Sequence, residues 1–180
     1  REKSEKAIDR AVKSVRAEAI RQNMEAKDYT ELEECVSQSD LVFESMAEDE
    51  GLKKELLKKI SDYVSENTLI CSGTSGLSID EMAEVLPNPC RGNFIGMHFF
   101  NPPYNMTLCE LIGSKYVKRE KMEEVRSYLV KKLLRTVVIV KDYPAFMGNR
   151  IGFFLINLAI QYAEMYKDRG GVDYIDAIMG

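Results

Sequence analysis

Five short apolar runs dense in strand-forming residues punctuate this chain, and most are separated by segments with helical spacing. They cover residues 40–46 (DLVFESM), 68–71, 93–100, 106–112 and 136–140 (TVVIV). Apolar residues at Leu52, Leu56, Leu57, Ile60 and Val64 form one helical stripe after the first run, and residues 118–134 form a charged amphipathic helix before the last. Ser78 with Glu81 three positions on predicts a capping box for a helix over 79–86, which Pro87 and Pro89 end. Strands this apolar, alternating with helices, predict an α/β domain with a mostly parallel sheet covered on both faces. An earlier stripe, Ile8, Ala11, Val12, Val15, Ala19, Ile20 and Met24, predicts a helix from Glu2 to about Ala26. After Pro144 the pattern changes. Residues 145–167 read as one long helix, apolar nearly all round, and 173–179 begin another, so we divide the chain into 1–143 and the opening of a helical domain at 144–180.

Several function classes are excluded early. A net charge of −4 gives no basic face for nucleic acid. The apolar stretch 151–160 is broken by Gly152 and Asn157, well short of the ~20 residues that span a bilayer. The first ten residues are dense in charge and hold no signal-peptide core. Cys35, Cys71, Cys90 and Cys109 lack close pairing, which predicts free thiols in a reducing, cytoplasmic setting and no metal site.

His98 is the only histidine, and it ends an apolar strand in the run Gly96-Met97-His98-Phe99-Phe100-Asn101-Pro102-Pro103. Ligands of open α/β sheets bind beyond the carboxyl ends of strands. Glu110 falls inside the next apolar run, where a carboxylate is costly without a partner. A carboxylate that accepts from one imidazole nitrogen fixes the tautomer and leaves the other nitrogen as a base. The plainer reading is a histidine satisfied in the core.

GMHFFNP followed by LCE, preceded by DLVFE and SGTSGLSI and followed by YPAFMGNR, resembles the L-3-hydroxyacyl-CoA dehydrogenase family over about Asp40 to Gly180. The resemblance implies a Rossmann-like, doubly wound sheet followed by the start of an all-helical C-terminal domain. It also implies NAD-dependent oxidation of the 3-hydroxyl of an acyl-CoA in fatty-acid metabolism. On it, His98 is the base, Glu110 its partner carboxylate, Ser75 a hydroxyl near the substrate oxygen, and Asn149 an amide near the thioester carbonyl or the hydroxyl. Glu48, Lys53, Ser75 and Asn101 fall on cofactor-binding positions. The expected partners are an acyl-CoA substrate and either a second copy, through the helical domain, or the rest of a multifunctional fatty-acid oxidation protein.

Two departures qualify the match. No Gly-x-Gly-x-x-Gly turn occurs in the sequence, so the chain reads as a fragment lacking that turn and most of the helical domain. The family's Asn-Thr-Ser-Ser reads Gly73-Thr74-Ser75-Gly76, one amide and one hydroxyl fewer. Competing expectations are a dehydrogenase of small hydroxy acids of the lambda-crystallin and gulonate type, suggested by Asn101-Pro102-Pro103-Tyr104, and a noncatalytic module that kept the fold.

Overall fold

The computed structural model describes residues 2–15 and 18–179. Five strands, β1 (Leu41–Glu44), β2 (Leu69–Ser72), β3 (Phe94–Phe99), β4 (Leu108–Gly113) and β5 (Thr136–Val140), form one sheet in the order β1-β2-β3-β4-β5. All pairings are parallel except β3 with β4. Only residues 100–107 join those two strands, too few for the crossover of a dozen or more that a parallel pair needs. The Rossmann-like, mostly parallel α/β sheet expected from the sequence is what forms.

Strand alternation sorts the side chains onto two faces. On one face Ile70, Phe94 and Ile112 pack with Leu57 and Ile60 of α3 (Glu50–Ser61) and with Ile79, Met82 and Ala83 of α4 (Ile79–Ala83). On the other, Cys71, Ile95, Met97, Cys109 and Leu111 pack under Met122, Val125 and Leu129 of α5 (Arg119–Lys132). Gly96 lets α4 approach β3, because a Cβ there would lie 2.7 Å from Ile79 Cδ1 and 3.2 Å from Ile112 Cβ.

The structure differs from the sequence reading in three places. The first helix ends early: α1 is Glu2–Val15, a 3-10 turn spans Glu18–Asn23, and residues 16 and 17 and the Val15 side chain lie outside the described part. Arg21 folds the turn back on α1, donating through Nε to Asp9 Oδ1 at 3.2 Å. A short helix, α2 (Leu32–Ser37), was not anticipated. Its lead-in turn carries an explicit capping box, in which Asp28 accepts from Thr30 N and Glu31 accepts from Asp28 N. The long apolar helix, α6 (Gly148–Met165), starts three residues late because Ala145 (φ 63°) and Phe146 (φ 49°) hold left-handed backbone, which no right-handed helix accommodates. It is followed by α7 (Val172–Met179), and Ile151, Phe153, Phe154, Ile156 and Ile160 of α6 remain exposed.

The cysteines are free. Burial pushes the Cys109 thiol up to about 12 and raises that of Cys71 further. Because these thiols ionise more readily in the unfolded chain, the stability they confer is complete below about pH 9 and lost as pH rises toward 12. Urea midpoints should therefore fall between neutral pH and about pH 10.5, and fall less in a Cys71→Ala/Cys109→Ala variant. Equal falls in both proteins would contradict this account.

Candidate active site

The antiparallel register places His98 directly opposite Glu110. The two side chains share the α4 face of the sheet at the carboxyl end of β3, and His98 Nδ1 lies 2.7 Å from Glu110 Oε2. His98 is 5% and Glu110 1% exposed, so the pair is made out of contact with water. A carboxylate only accepts, which puts the proton on Nδ1 and leaves the Nε2 lone pair bare. The imidazole is held between the rings of Phe100, 4.7 Å away, and Phe146, 5.8 Å away.

The other Glu110 oxygen has partners as well. Oε1 accepts from the backbone N–H groups of Met147 (3.0 Å) and Gly148 (2.8 Å) at the start of α6. That helix has no acidic side chain in its first turn, so Glu110 supplies the negative charge its amino end favours. Gly148 matters for a second reason: a Cβ there would lie 2.5 Å from Phe100 Cζ, driving that ring off the imidazole.

Ser75 is exposed in the turn after β2, its N–H donating to Glu48 Oε1 (2.8 Å) and its carbonyl accepting from Asn149 Nδ2 (2.9 Å). Asn149, expected to reach toward a substrate carbonyl, thus commits its amide nitrogen to joining α6 to this turn. One chain of bonds runs from Glu48 through Ser75 to Asn149, which lies one residue beyond the amide that holds Glu110. Asn101 is exposed two residues past the end of β3.

Lys53 departs from its expected role. It is 1% exposed and donates to Glu44 Oε1 (2.7 Å) and Met46 O (3.2 Å), so it cannot meet a ligand directly. Its Nζ lies 3.6 Å from Glu48 Oε2, placing a positive charge behind that carboxylate. Glu44, which the sequence reading passed over, is the buried centre of this group and also accepts from Ser72 Oγ at 2.5 Å. Its signal was legible: an acid closing an apolar strand, as with Glu110.

Glu48 is 45% exposed, with Oε1 held by Thr74 Oγ1 (2.6 Å) and Ser75 N. An acceptor-only group fixed this way at a strand end suits the hydroxyl pair of a ribose. Gly73 leaves bare backbone beside it, since Phe43 fills the space a Cβ would take, at 2.9 Å. These residues fit the sugar end of NAD. A separate groove of about 660 Å³ between α5 and the end of β5, lined by Lys115, Arg119 and Lys141, includes neither His98 nor Glu110.

The family model described as 3-hydroxyacyl-CoA dehydrogenase, NAD binding domain, matches residues 1–143. A Rickettsia felis protein named as a fatty acid oxidation complex trifunctional enzyme is 40% identical over 134 residues, covering 74% of this chain and 19% of that protein. Its Rickettsia prowazekii counterpart is 37% identical over 130 residues, covering 72% of this chain and 18% of that protein. The chain thus spans about a fifth of the length of these relatives. Among solved structures, (S)-3-hydroxybutyryl-CoA dehydrogenase from Ralstonia eutropha is 33% identical with a TM-score of 0.69, covering 86% of this chain and 54% of that one. The Escherichia coli 3-hydroxybutyryl-CoA dehydrogenase, 22% identical with a TM-score of 0.76 over 89% of this chain and 35% of its own, shares the fold. This chain belongs to the 3-hydroxyacyl-CoA dehydrogenase family and carries its NAD-binding domain.

Proposed function

We propose that the protein oxidises the 3-hydroxyl of an L-3-hydroxyacyl-CoA to a ketone, with His98 as general base and Glu110 as the group that orients it. The observation that carries this reading is the 2.7 Å contact of Glu110 Oε2 with His98 Nδ1, which engages one ring nitrogen and leaves Nε2 to take a proton, near the end of a strand in an NAD-binding domain. NAD, when bound, supplies the acceptor for the hydride that leaves C3. His98 Nε2 takes the hydroxyl proton. Glu110 keeps the ring in the tautomer that can take it and balances the imidazolium that results. Ser75 presents its hydroxyl near the substrate oxygen, and Asn149 orders the turn that carries Ser75. Glu48, backed by Lys53, holds the cofactor's ribose, with Asn101 alongside.

The same reading extends to organisation. Residues 1–143 form the cofactor domain, and 144–180 open a helical domain whose exposed apolar residues on α6 are covered by a second copy or by further parts of one polypeptide. The trifunctional names of the Rickettsia relatives favour membership of a multifunctional fatty-acid oxidation protein acting on acyl-CoA. No helix among the described residues is long and apolar enough to cross a membrane. Four free cysteines are in keeping with a cytoplasmic setting.

Replacing His98 with Gln keeps bulk but removes the base. General-base help is worth about 10²–10⁴ in rate, or about 3–5 kcal/mol of barrier. His98→Gln should lower kcat for 3-hydroxyacyl-CoA oxidation at least ~100-fold while leaving NADH affinity within about threefold, read by steady-state kinetics and titration of the full-length protein. Near-normal turnover would overturn the base assignment. Glu110→Gln should fall as far by a different route. The backbone amides of Met147 and Gly148 claim the one oxygen of Gln, which turns its NH₂ toward Nδ1 and forces the proton to Nε2, closing the base. Retention of more than about a tenth of wild-type kcat would show that the tautomer is set elsewhere.

A further inference from the structure

The connection between β5 and α6 is tied down more heavily than its length requires. Asp142 accepts from Ser78 Oγ (2.9 Å), Ile79 N (3.0 Å) and Asp80 N (2.8 Å) at the start of α4. Three residues on, Ala145 N donates to Gly76 O at 3.3 Å, and Asn149 Nδ2 reaches Ser75 O. Between these ties Ala145 and Phe146 are held left-handed, a conformation that residues with a Cβ keep only where their surroundings fix it. That elbow buries Phe146 against His98 and aims two successive N–H groups at Glu110 Oε1. Had a regular helix begun at 145, the N–H of Gly148 would have gone to the carbonyl of Pro144 four residues back and been lost to Glu110.

We propose that Asp142 is a positioning residue for the His98–Glu110 pair, acting through the strap of residues 142–149. The expected capping box explains only part of the α4 start: Ser78 Oγ does accept from Glu81 N at 3.2 Å, but the N–H groups of Ile79 and Asp80 go to Asp142, more than sixty residues away in sequence. What those bonds fix is the beginning of the strap. A carboxylate is planar, so the two N–H groups on Glu110 Oε1 also set the direction in which Oε2 meets the imidazole. Released at Asp142, the strap frees the elbow, Oε1 loses its donors, and the Glu110 plane turns away from Nδ1.

The effect on the imidazole follows from geometry alone, and the effect on rate rests on the base assignment proposed above. His98 is the only histidine in the chain, so its ring resonances are unambiguous in NMR. In the wild-type chain the Nδ1–H should be resolved and slow to exchange. Asp142→Ala should speed that exchange at least about tenfold and lower kcat of the full-length protein about 10- to 100-fold, the penalty of a misplaced reacting group, with KM for NAD little changed. Asp142→Asn, which keeps one acceptor oxygen, should recover part of both, and it carries the test by itself should the alanine variant not fold. Ser78→Ala is the control: it removes the hydroxyl from the same helix start but leaves Asp142 its two amide bonds, so the imidazole should stay as in wild type. An unchanged Nδ1–H in Asp142→Asn and Asp142→Ala, or an equal change in Ser78→Ala, overturns the inference. A changed Nδ1–H with unchanged kcat upholds it and overturns the base assignment instead.

Discussion

A carboxylate with 1% of its surface exposed must be fully paired, and Glu110 is the group around which β3, β4 and the start of α6 are organised. Leaving such a charge unpaired costs about 3–5 kcal/mol, a large share of a domain's net stability. Its three donors come from separate parts of the chain: an imidazole on β3 and two amides at the head of α6. Satisfying it therefore requires the antiparallel β3–β4 register, the return of the chain across the α4 face after β5, and a helix that starts at 148. Each is a condition on the fold as well as on the chemistry. The same bonds that make burial tolerable also dictate the tautomer of His98.

A second buried carboxylate obeys the same rule on the neighbouring strand ends. Glu44 closes β1 and is paired with Lys53 from α3 and Ser72 from β2, all three almost inaccessible to solvent. This group is buried, and it fixes where Glu48 stands, because Lys53 reaches both carboxylates. The outer member of the cluster faces solvent, and the inner members hold it. Replacing Lys53 would strand Glu44 as well as release Glu48, so its loss would act on folding before it acted on cofactor affinity.

Most of the sheet was legible because each strand is a compact apolar run, and burial on both faces leaves such a run few alternatives. His98 and Glu110 were legible for the same reason, as polar residues whose placement in apolar strands demands a partner. What escaped reading depends on contacts distant in sequence. Nothing local marks Asp142 as the cap of a helix that starts at residue 79, or tells which lysine of the α3 face is swallowed by Glu44. The late start of α6 was hidden because Ala145 and Phe146 carry no glycine to announce left-handed backbone. The missed turn before α2 is a different kind of error, since Asp28 and Glu31 spelled out its cap.

Of the two glycines that depart from the family's turn, Gly76 lies against the strap of residues 142–149 and Gly73 against β1. At Gly76 a Cβ would lie 3.0 Å from Ala145 Cα and 3.1 Å from Ala145 N, so a side chain there would press on the strap beside the bond from Ala145 N to Gly76 O and push it back by a few tenths of an ångström. At Gly73 the obstruction is the Phe43 ring, which meets Phe99 in a tilted pair with centroids 5.8 Å apart. Both losses of side chain are thus matched by something occupying the space. An Ala at a left-handed position is strained where Gly is free, and the strap bears that strain at 145 while Gly76 gives it room to approach. The contact is closed through the turn's main chain, Ala145 N donating to Gly76 O and Asn149 Nδ2 to Ser75 O, so the path of the backbone rather than the turn's side chains keeps Ser75 beside Asn149.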